Sequence, residues 1–391
     1  MKVAVDAYHQ SLNKYQEELC GDRVVMTFTD QSYICVLADG LGSGVKANIL
    51  ATLTATILNE LLISDINLDE AIETLTATLP ECQERKIAYS TFSVCKIDED
   101  GKTTIIEFDN PKAIIMSQDK QVYLDRQERK YQNRTVYLSS IQLKPDDYVV
   151  LVSDGVIHAG LGHTLNFGWQ RQDVVKHLAN NQSHNHTAQI IGDDLIQTVS
   201  NLYEHQAKDD ATVVVSKVIT RHRSVVMVGP PKDITQDHIK ILTLKKATGK
   251  KIVCGGTTAQ IVAKHLNQRI TMDDTLSVNN DLPPTAYIDG LDLVTEGILT
   301  LGRVVDLLVE ASTNKVQKDR LCTSAPTDGA HRLVQILLND CTEILFLVGL
   351  ADNPAHSQLA HALSVNMKSR LVSRIARYLK QFGKIVTIIE A

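Results

Sequence analysis

The sequence changes its hydrophobic pattern once, near Ile219–Ser224, and this change is the feature that most constrains the fold. Before it, short β-like apolar runs are separated by brief turns, a pattern typical of antiparallel meanders. After it, strand-like runs alternate with longer helical stretches, which is typical of an α/β domain. A chain of 391 residues is long enough for two domains. We therefore predict one domain over residues 1–220 and a second over residues 221–391.

The N-terminal part predicts an antiparallel β-sandwich flanked by helices, an α+β fold with αββα layers. The predicted strands are 24–28, 33–38, 92–97, 103–108, 113–116, 122–124, 135–138, 148–152 and 211–218. Apolar residues at helical spacing predict helices from Val45 to Leu62, over Leu68–Leu79 and over His186–His205. Asn67 is a plausible cap for the second of these helices, and Pro80 ends it.

The C-terminal part predicts a separate α/β domain, because strands and helices alternate along it. The predicted strands are Ser224–Gly229, Lys251–Cys254, Ile344–Val348 and Lys384–Ile389. The predicted helices lie near 235–246, 258–266, 298–310, 330–338 and 356–380.

Composition excludes several classes of protein. The net charge is −6 without a long basic run and aromatic residues make up 5%, so nucleic acid is not expected as the main partner. The apolar stretches are too short to span a bilayer, and the N-terminus lacks the apolar region of a signal peptide. Seven cysteines without a Cys-x-x-Cys pair indicate reduced thiols rather than a zinc or iron–sulfur site. We expect a cytoplasmic protein that does not bind membranes.

Acidic residues stand at the ends of several predicted strands. They are Asp22 before strand 24–28, Asp39 after 33–38, Asp154 after 148–152, and Asp209 and Asp210 before 211–218. Carboxylates at strand ends can converge at one sheet edge, and carboxylate and carbonyl oxygens suit Mg²⁺ or Mn²⁺. A single Asp-Gly pair is more often an ordinary turn, and two adjacent aspartates are often a solvated loop pair. The order and context of these aspartates together indicate a metal site more strongly than any single pair does.

Three segments resemble the type-2C, or PPM, protein phosphatases, in particular the bacterial branch typified by the stage II sporulation protein E domain. These segments are Val36–Ala47 with its Asp-Gly-Leu-Gly-Ser-Gly motif, Val149–Gly155 with Ser-Asp-Gly, and Asp209–Val215 with Asp-Asp-Ala-Thr. The resemblance covers about residues 1–218. It implies a serine/threonine phosphatase that acts on phosphoproteins.

The resemblance also implies a site for two Mn²⁺ or Mg²⁺ ions between two β-sheets. Asp39 would bridge both ions, and the carbonyl of Gly40 would bind one of them. Asp154 and Asp209 would hold the other ion. Asp22 corresponds to an early acidic position that often binds through water, and Asp210 is a weaker candidate.

The ions would activate a water that attacks phosphorus in line with the leaving serine or threonine oxygen. His158, four residues after Asp154, is a candidate general acid, although a loop histidine near the site explains it equally well. The sequence offers no clear counterpart of the phosphate-binding arginine of the eukaryotic enzymes. Arg23 is the nearest basic residue, but it directly follows Asp22 and can point the other way.

Three segments of the C-terminal part contain glycines next to polar residues: Met227–Pro231, Lys250–Ala259 and Asp289–Gly297. A Gly-Gly turn before a helix can hold an anion, but a plain capped strand–helix turn has the same pattern. Together these segments resemble the extra domain of phosphatases found beside iron-only hydrogenase genes in anaerobic bacteria. That resemblance implies a regulatory or partner-binding role, through a ligand or a protein partner.

Two other functions stay open at the level of sequence. A phosphatase fold can serve as a regulatory or binding module without turnover, and a small-molecule phosphohydrolase would share the metal chemistry. The sequence also leaves a homodimer open.

Overall fold

The computed structural model describes residues 2–64, 66, 70, 73–74, 90–131, 134–181, 183–230, 237–273, 284–351 and 358–390. The chain divides into two compact units, Met1–Thr220 and Arg221–Ala391. The predicted helix over Leu68–Leu79 lies outside the described residues, apart from single positions within it.

The first unit contains two antiparallel sheets. Its strands are β1 (Val3–Leu12), β2 (Asp22–Phe28), β3 (Ser32–Gly40), β4 (Ser90–Asp98), β5 (Lys102–Phe108), β6 (Ile114–Ser117), β7 (Lys120–Val122), β8 (Gln127–Tyr131), β9 (Arg134–Gln142), β10 (Tyr148–Val152) and β11 (Ala211–Thr220). One sheet has the order β1-β11-β10-β6-β7, and the other has the order β2-β3-β4-β5-β9-β8. Neighbouring strands in both sheets run antiparallel.

Alternation along β3 shows how the layers form. Ile34, Val36 and Ala38 pack against a helix on the outside of the six-stranded sheet. Cys35 and Leu37 point the other way and join the core between the two sheets. Since both faces of β3 are buried, its sequence is a nearly continuous apolar run rather than a polar–apolar alternation.

Helices cover the outer faces of both sheets. They are α1 (Gly44–Ile63), α2 (Asp154–Ile157), α3 (Arg171–Asn180) and α4 (Ala188–Leu202), with a short 3₁₀ turn at Ser183–Asn185. The buried face of α1 packs on the six-stranded sheet, and α3 and α4 pack on the five-stranded sheet. The layers are therefore α, β, β, α, and the predicted α+β sandwich is confirmed.

The second unit is an α/β domain, as predicted. Its strands are β12 (Arg223–Val228), β13 (Lys251–Cys254), β14 (Thr271–Asp273), β15 (Thr285–Tyr287), β16 (Leu293–Thr295), β17 (Glu343–Val348) and β18 (Ile385–Glu390). Its helices are α5 (Asp237–Lys245), α6 (Gly256–Leu266), α7 (Ile298–Thr313), α8 (Lys315–Thr323), α9 (Gly329–Gln335), which continues into a π-helical turn at Ile336–Asp340, and α10 (Gln358–Gln381).

The seven-stranded sheet of this unit has the order β14-β15-β16-β13-β12-β17-β18. The five strands from β16 to β18 are parallel, and β14 and β15 extend the sheet with antiparallel pairs. Helices α5 and α6 pack on one face, and α7, α9 and α10 pack on the other. The sheet is therefore covered on both sides, in a doubly wound arrangement.

Two strands of the first unit have no counterpart among the predicted ones. Strand β1 contains Asp6, His9 and Gln10, and these polar residues interrupt its apolar pattern. Strand β8 has the sequence Gln-Glu-Arg-Lys-Tyr and lies at a sheet edge, where it pairs only with β9. Polar edge strands of this kind protect a sheet from further pairing, but they give no hydrophobic signal.

In the described part of the chain, no helix combines the length and the apolar character needed to cross a membrane. The cysteines that the structure describes are all free thiols: Cys20, Cys35, Cys95, Cys254, Cys322 and Cys341.

We predict that Leu58→Ala lowers the free energy of unfolding of the first unit by about 2–5 kcal/mol. Leu58 is fully buried on the side of α1 that packs against the sheet, and its truncation leaves a cavity there. Leu53→Ala, on the exposed side of the same helix, should change it by less than about 0.5 kcal/mol. The single tryptophan, Trp169, is buried in this unit, so its fluorescence during urea denaturation reports on this unit alone. Equal effects of the two substitutions would contradict the described packing of α1.

Candidate active site

The ends of β2 and β3 place the first two acidic residues side by side. In the antiparallel ladder Asp22 lies directly opposite Asp39. Asp22 is only 5% exposed. The backbone N–H of Gly40 donates to the carbonyl of Gly21, and the Ser90 hydroxyl donates to the carbonyl of Asp39 at 2.9 Å. These bonds fix the strand ends that carry both carboxylates.

Gly40 must be a glycine for α1 to follow β3 so closely. A Cβ at this position would lie 2.1 Å from the carbonyl oxygen of Ala47, in the first turns of α1. The chain therefore turns tightly at the end of β3, which holds the Asp39–Gly40 peptide under the helix start.

The other acidic residues come from the ends of β10 and β11. Asp154 is the first residue of the short helix α2, directly after β10. Asp209 and Asp210 precede β11, and β10 pairs with β11. A Cβ at Gly155 would lie 2.1 Å from the carbonyl oxygen of Asp210, so only glycine allows α2 to approach this close.

The carboxylates of these five aspartates form one electrostatic group, which we call the acidic cluster: Asp22, Asp39, Asp154, Asp209 and Asp210. Burial, together with the charges of the other four members, raises the pKa of Asp39 to about 9. The pKa of Asp22 is raised to about 7, mainly by burial and also by the charges of Asp210 and Asp154, against the opposing effect of hydrogen bonds from the Thr212 and Ser153 hydroxyls. The pKa of Asp209 is raised by burial and by Asp154. Each charge in the cluster therefore destabilises the others.

Several oxygens of the acidic cluster lack a hydrogen-bond partner. Among the described residues, neither carboxylate oxygen of Asp22 makes a hydrogen bond of good geometry, although the Thr212 and Ser153 hydroxyls lie close enough to lower its pKa, and Oδ2 of Asp210 has no partner. The other oxygen of Asp210 accepts from the backbone N–H of Lys14 at 3.0 Å. Buried carboxylate oxygens without a donor are costly, and a bound cation removes that cost.

The donor chemistry of the acidic cluster fits a hard divalent cation, because it offers carboxylate and carbonyl oxygens and neither sulfur nor imidazole. Within the described ranges, the side-chain rotamers bring no three His, Cys, Asp or Glu residues close enough together to coordinate one ion. Uncompensated carboxylates repel one another, so convergence on an ion requires their side chains to rotate inward.

The structure places His158 at the end of α2, one turn after Asp154. Its backbone N–H donates to the carbonyl of Asp154 at the end of α2, and its side chain is exposed. Its imidazole makes no hydrogen bond or ion pair with a described residue. The role of His158 as a general acid therefore stays a prediction. Arg23 is also exposed and lies on the strand position next to Asp22, which directs it to the opposite face of β2.

Lys14 lies next to the acidic cluster in the structure, although no sequence motif indicates a role for it. Besides the bond from its N–H to Asp210, its charge lowers the pKa of Asp209 in part, against the larger effects of burial and Asp154. Lys14 also lines a cavity of about 350 Å³ together with Tyr15, His163, Tyr203 and Lys208. It lies in the loop between β1 and β2, where a lone lysine carries no sequence signal.

Comparison with known proteins shows the family of the first unit. Residues 29–219 match the family model described as "Stage II sporulation protein E (SpoIIE)". This match, which covers just under half of the chain, confirms the resemblance that the three motifs predicted: the first unit is similar to the stage II sporulation protein E family. The matched range ends where the second unit begins, so the resemblance of the second unit to a hydrogenase-associated domain stays a prediction.

Three curated relatives show the extent of the similarity. The chain is 25% identical over 191 residues to stage II sporulation protein E of Priestia megaterium and 26% identical over 198 residues to that of Bacillus subtilis. These alignments cover 48% and 50% of this chain but 31% and 23% of the two relatives. The phosphoserine phosphatase RsbX of Bacillus subtilis is 24% identical over 221 residues, which cover 53% of this chain and 92% of RsbX.

Solved structures with a similar fold include the phosphatase domain of SpoIIE from Bacillus subtilis. That match has 23% identity and a TM-score of 0.45, and it covers 56% of this chain and 94% of the other. RsbX in complex with magnesium matches with 21% identity and a TM-score of 0.42, over 55% of this chain and 95% of the other.

We predict that Asp22→Asn stabilises the metal-free first unit, in the presence of EDTA, by about 1–3 kcal/mol, since it removes a buried charge that the charges of Asp210 and Asp154 repel. Asp30→Asn, at an exposed position in the β2–β3 turn, should have an effect of less than about 0.5 kcal/mol. Urea denaturation followed by Trp169 fluorescence measures both. Destabilisation by Asp22→Asn would show that the carboxylate has a stabilising partner.

Proposed function

We propose that this protein is a metal-dependent phosphatase that hydrolyses phosphoserine and phosphothreonine in proteins. The observation that carries the proposal is the acidic cluster, in which five buried or half-buried aspartates from four chain segments lie close enough for burial and their charges to raise the pKa of Asp22, Asp39 and Asp209. Such a cluster is unfavourable without positive charge, and its oxygens suit divalent ions. The match of residues 29–219 to the SpoIIE family and the similarity to a phosphoserine phosphatase support the same reaction.

In this proposal the acidic cluster holds two Mn²⁺ or Mg²⁺ ions. Asp39, the Gly40 carbonyl, Asp154 and Asp209 would hold these ions. Asp22 lies opposite Asp39 and binds directly or through water. Asp210, buried and with one oxygen lacking a partner, joins the set more closely than its sequence position indicated. The bound ions supply an activated water and neutralise charge on the phosphoryl oxygens.

Three other features of the first unit would contribute to catalysis. The hydrogen bonds of Ser90 and Gly40 hold the strand ends so that the carboxylates stay in register. The side-chain charge of Lys14 acts on Asp209 of the acidic cluster and would attract the phosphate group of the substrate. The cavity lined by Lys14, His163 and Lys208 lies beside Asp209 and is suited to residues that flank the phosphorylated side chain.

We predict that the protein hydrolyses p-nitrophenyl phosphate and a phosphoserine peptide with Mn²⁺ or Mg²⁺ and not with EDTA. Asp39→Asn and Asp154→Asn should each lower kcat by about 10²–10³-fold or more, a loss typical of removing one electrostatic contact from a transition state. Asp30→Asn should leave kcat unchanged.

Three results would contradict parts of this proposal. Turnover that survives both cluster substitutions would place the site elsewhere. A folded protein that binds Mn²⁺ but shows no turnover of either substrate would favour a binding module. Hydrolysis of small phosphate esters without hydrolysis of a phosphopeptide panel would favour a small-molecule phosphohydrolase.

We predict that excess Mn²⁺ stabilises the first unit by RT ln(1 + [L]/Kd), about 2.7 kcal/mol at a hundred times Kd. Asp39→Asn should abolish most of this gain, because it removes a proposed metal ligand. Urea denaturation with Mn²⁺ or with EDTA, followed by Trp169 fluorescence, measures binding independently of turnover. An equal gain in the variant would exclude Asp39 as a ligand.

We predict that Lys14→Met raises KM for a phosphoserine peptide about tenfold, equivalent to ~1.4 kcal/mol, with a smaller change in kcat. The reason is the loss of a cation beside Asp209, whereas the N–H bond to Asp210 is retained. Lys102→Met, at an exposed position of β5, is the matched control. An unchanged KM would show that the metal ions alone position the phosphate.

A further inference from the structure

A second cavity lies in the C-terminal unit, at the carboxyl ends of its parallel strands. It has a volume of about 130 Å³ and is formed by the loops that follow β12, β13, β16 and β17. Counting parallel strands along the chain, the sheet order is 3-2-1-4-5, so the chain reverses its direction of winding at β12. In doubly wound sheets this reversal opens a crevice, and ligands bind there. We call this cavity the switch-point crevice.

Two helices point their N-termini into the switch-point crevice. Helix α6 begins at Gly256, directly after β13, and α7 begins at Ile298, directly after β16. Neither helix has an acidic residue in its first turn. Gly256, Thr257 and Thr258 are the first three residues of α6, so their backbone N–H groups have no acceptor within the helix, and no side chain caps them. Together with the partial positive charge of each helix start, these amides favour an anion.

An independent observation points to a ligand at the same place. Thr258 lines the crevice, is only 1% exposed, and its hydroxyl has no hydrogen-bond partner among the described residues. A buried hydroxyl without a partner is unfavourable by about 1–3 kcal/mol, and folded proteins avoid it unless another molecule supplies the bond. Thr258 lies in the first turn of α6, next to the unpaired amides.

Two charged residues, Lys368 and Glu296, line the crevice. Lys368 of α10 reaches the loop after β12: its Nζ lies 3.2 Å from the position that a Cβ at Gly229 would take. Glu296 follows β16, and its Oε2 accepts from the N–H of Leu299 at 3.2 Å, which caps α7. The crevice is thus lined by the cation of Lys368 and, at the start of α7, by the carboxylate of Glu296, whose second oxygen can accept from a hydroxyl group.

The loops that follow β12 and β17 pack closely against each other at the crevice. A Cβ at Gly349, after β17, would lie 2.1 Å from the carbonyl oxygen of Pro230, after β12. The N–H of Ala351 donates to that same carbonyl at 3.0 Å. Val228, Pro230 and Ile298 give the crevice apolar walls. A small molecule with an anionic end, hydroxyl groups and a flat or apolar part fits such a site.

We propose that the switch-point crevice binds a phosphorylated ribose, as a nucleotide or as a ribose phosphate. The phosphate accepts from the free amides at the start of α6, from the Thr258 hydroxyl and from Lys368. A ribose hydroxyl donates to Glu296, and the apolar walls cover the rest of the molecule. This many donors converging on one anion match the oxygens of a phosphate better than those of a carboxylate. The phosphatase site would then share its chain with a sensor of phosphorylated metabolites.

Isothermal titration calorimetry on the full chain tests the proposal with AMP, ribose 5-phosphate and inorganic phosphate as probes. EDTA is present throughout, so that metal ions in the acidic cluster do not hold the phosphate. We expect AMP or ribose 5-phosphate to bind with a Kd of about 10–100 µM, and inorganic phosphate at least tenfold more weakly. Tighter binding of AMP identifies a nucleotide site, and equal binding of the two identifies a ribose phosphate site.

Substitutions locate the binding. Thr258→Val and Lys368→Met should each raise the Kd of the tighter probe about tenfold, whereas Lys380→Met, at an exposed position of the same helix α10, should leave it within about twofold. Glu296→Gln should weaken the ribose probes but not inorganic phosphate. Thermal melting of each variant verifies that it is folded.

Two results would overturn the proposal. One is the absence of binding by all three probes at millimolar concentration. The other is binding that Thr258→Val and Lys368→Met both leave unchanged. If inorganic phosphate bound as tightly as the ribose probes, the assignment of a ribose would be wrong.

Discussion

Repulsion among the five aspartates of the acidic cluster is balanced by the rest of the first unit. Asp22 and Asp39 face each other across one strand pair, and Asp154, Asp209 and Asp210 come from the ends of another. Burial and mutual repulsion raise the pKa of three of them, so the cluster costs stability when no cation is bound. The apolar core between the two sheets and the helices on their outer faces offset this cost. Sites held under such strain are typical of catalysis, where stability is given up for reactivity.

The backbone around the acidic cluster explains why the carboxylates cannot simply move apart. Gly40 lets α1 start directly against the end of β3, and Gly155 lets α2 approach the carbonyl of Asp210. Both approaches would be blocked by a single methyl group. The strand ends are therefore held in place by backbone packing, and only the side-chain rotamers are left to adjust to an ion.

The two units use the ends of their elements in opposite ways. In the first unit, strand ends bring together carboxylates, which select cations. In the second, the starts of α6 and α7 bring together backbone amides, which select anions. A phosphatase and a site for a phosphorylated metabolite on one chain would allow the second unit to report on metabolism.

Much of the fold was predictable where hydrophobic burial determines it. Strands β10 and β13 were predicted to the residue, because all or nearly all of their positions are buried and apolar. Strand β8 was not predictable, because its polar residues are placed at the sheet edge by pairing with β9. For the site, the motifs indicated Asp22, Asp39, Asp154 and Asp209, and the structure places these in one electrostatic group; their roles as metal ligands stay predictions. Lys14 was missed, because a lysine in a loop has no pattern around it.

The sequence by itself determined the class of fold and the residues able to carry the chemistry. Apolar periodicity encodes which segments are strands and helices, and motif order encodes the resemblance to the type-2C phosphatases. Only the tertiary structure decided how buried Asp210 is, that Lys14 lies beside it, and that Thr258 has a buried hydroxyl without a partner. These are properties of residues far apart in the chain. Burial, pKa and hydrogen bonding depend on neighbours in space, which a local sequence pattern does not contain.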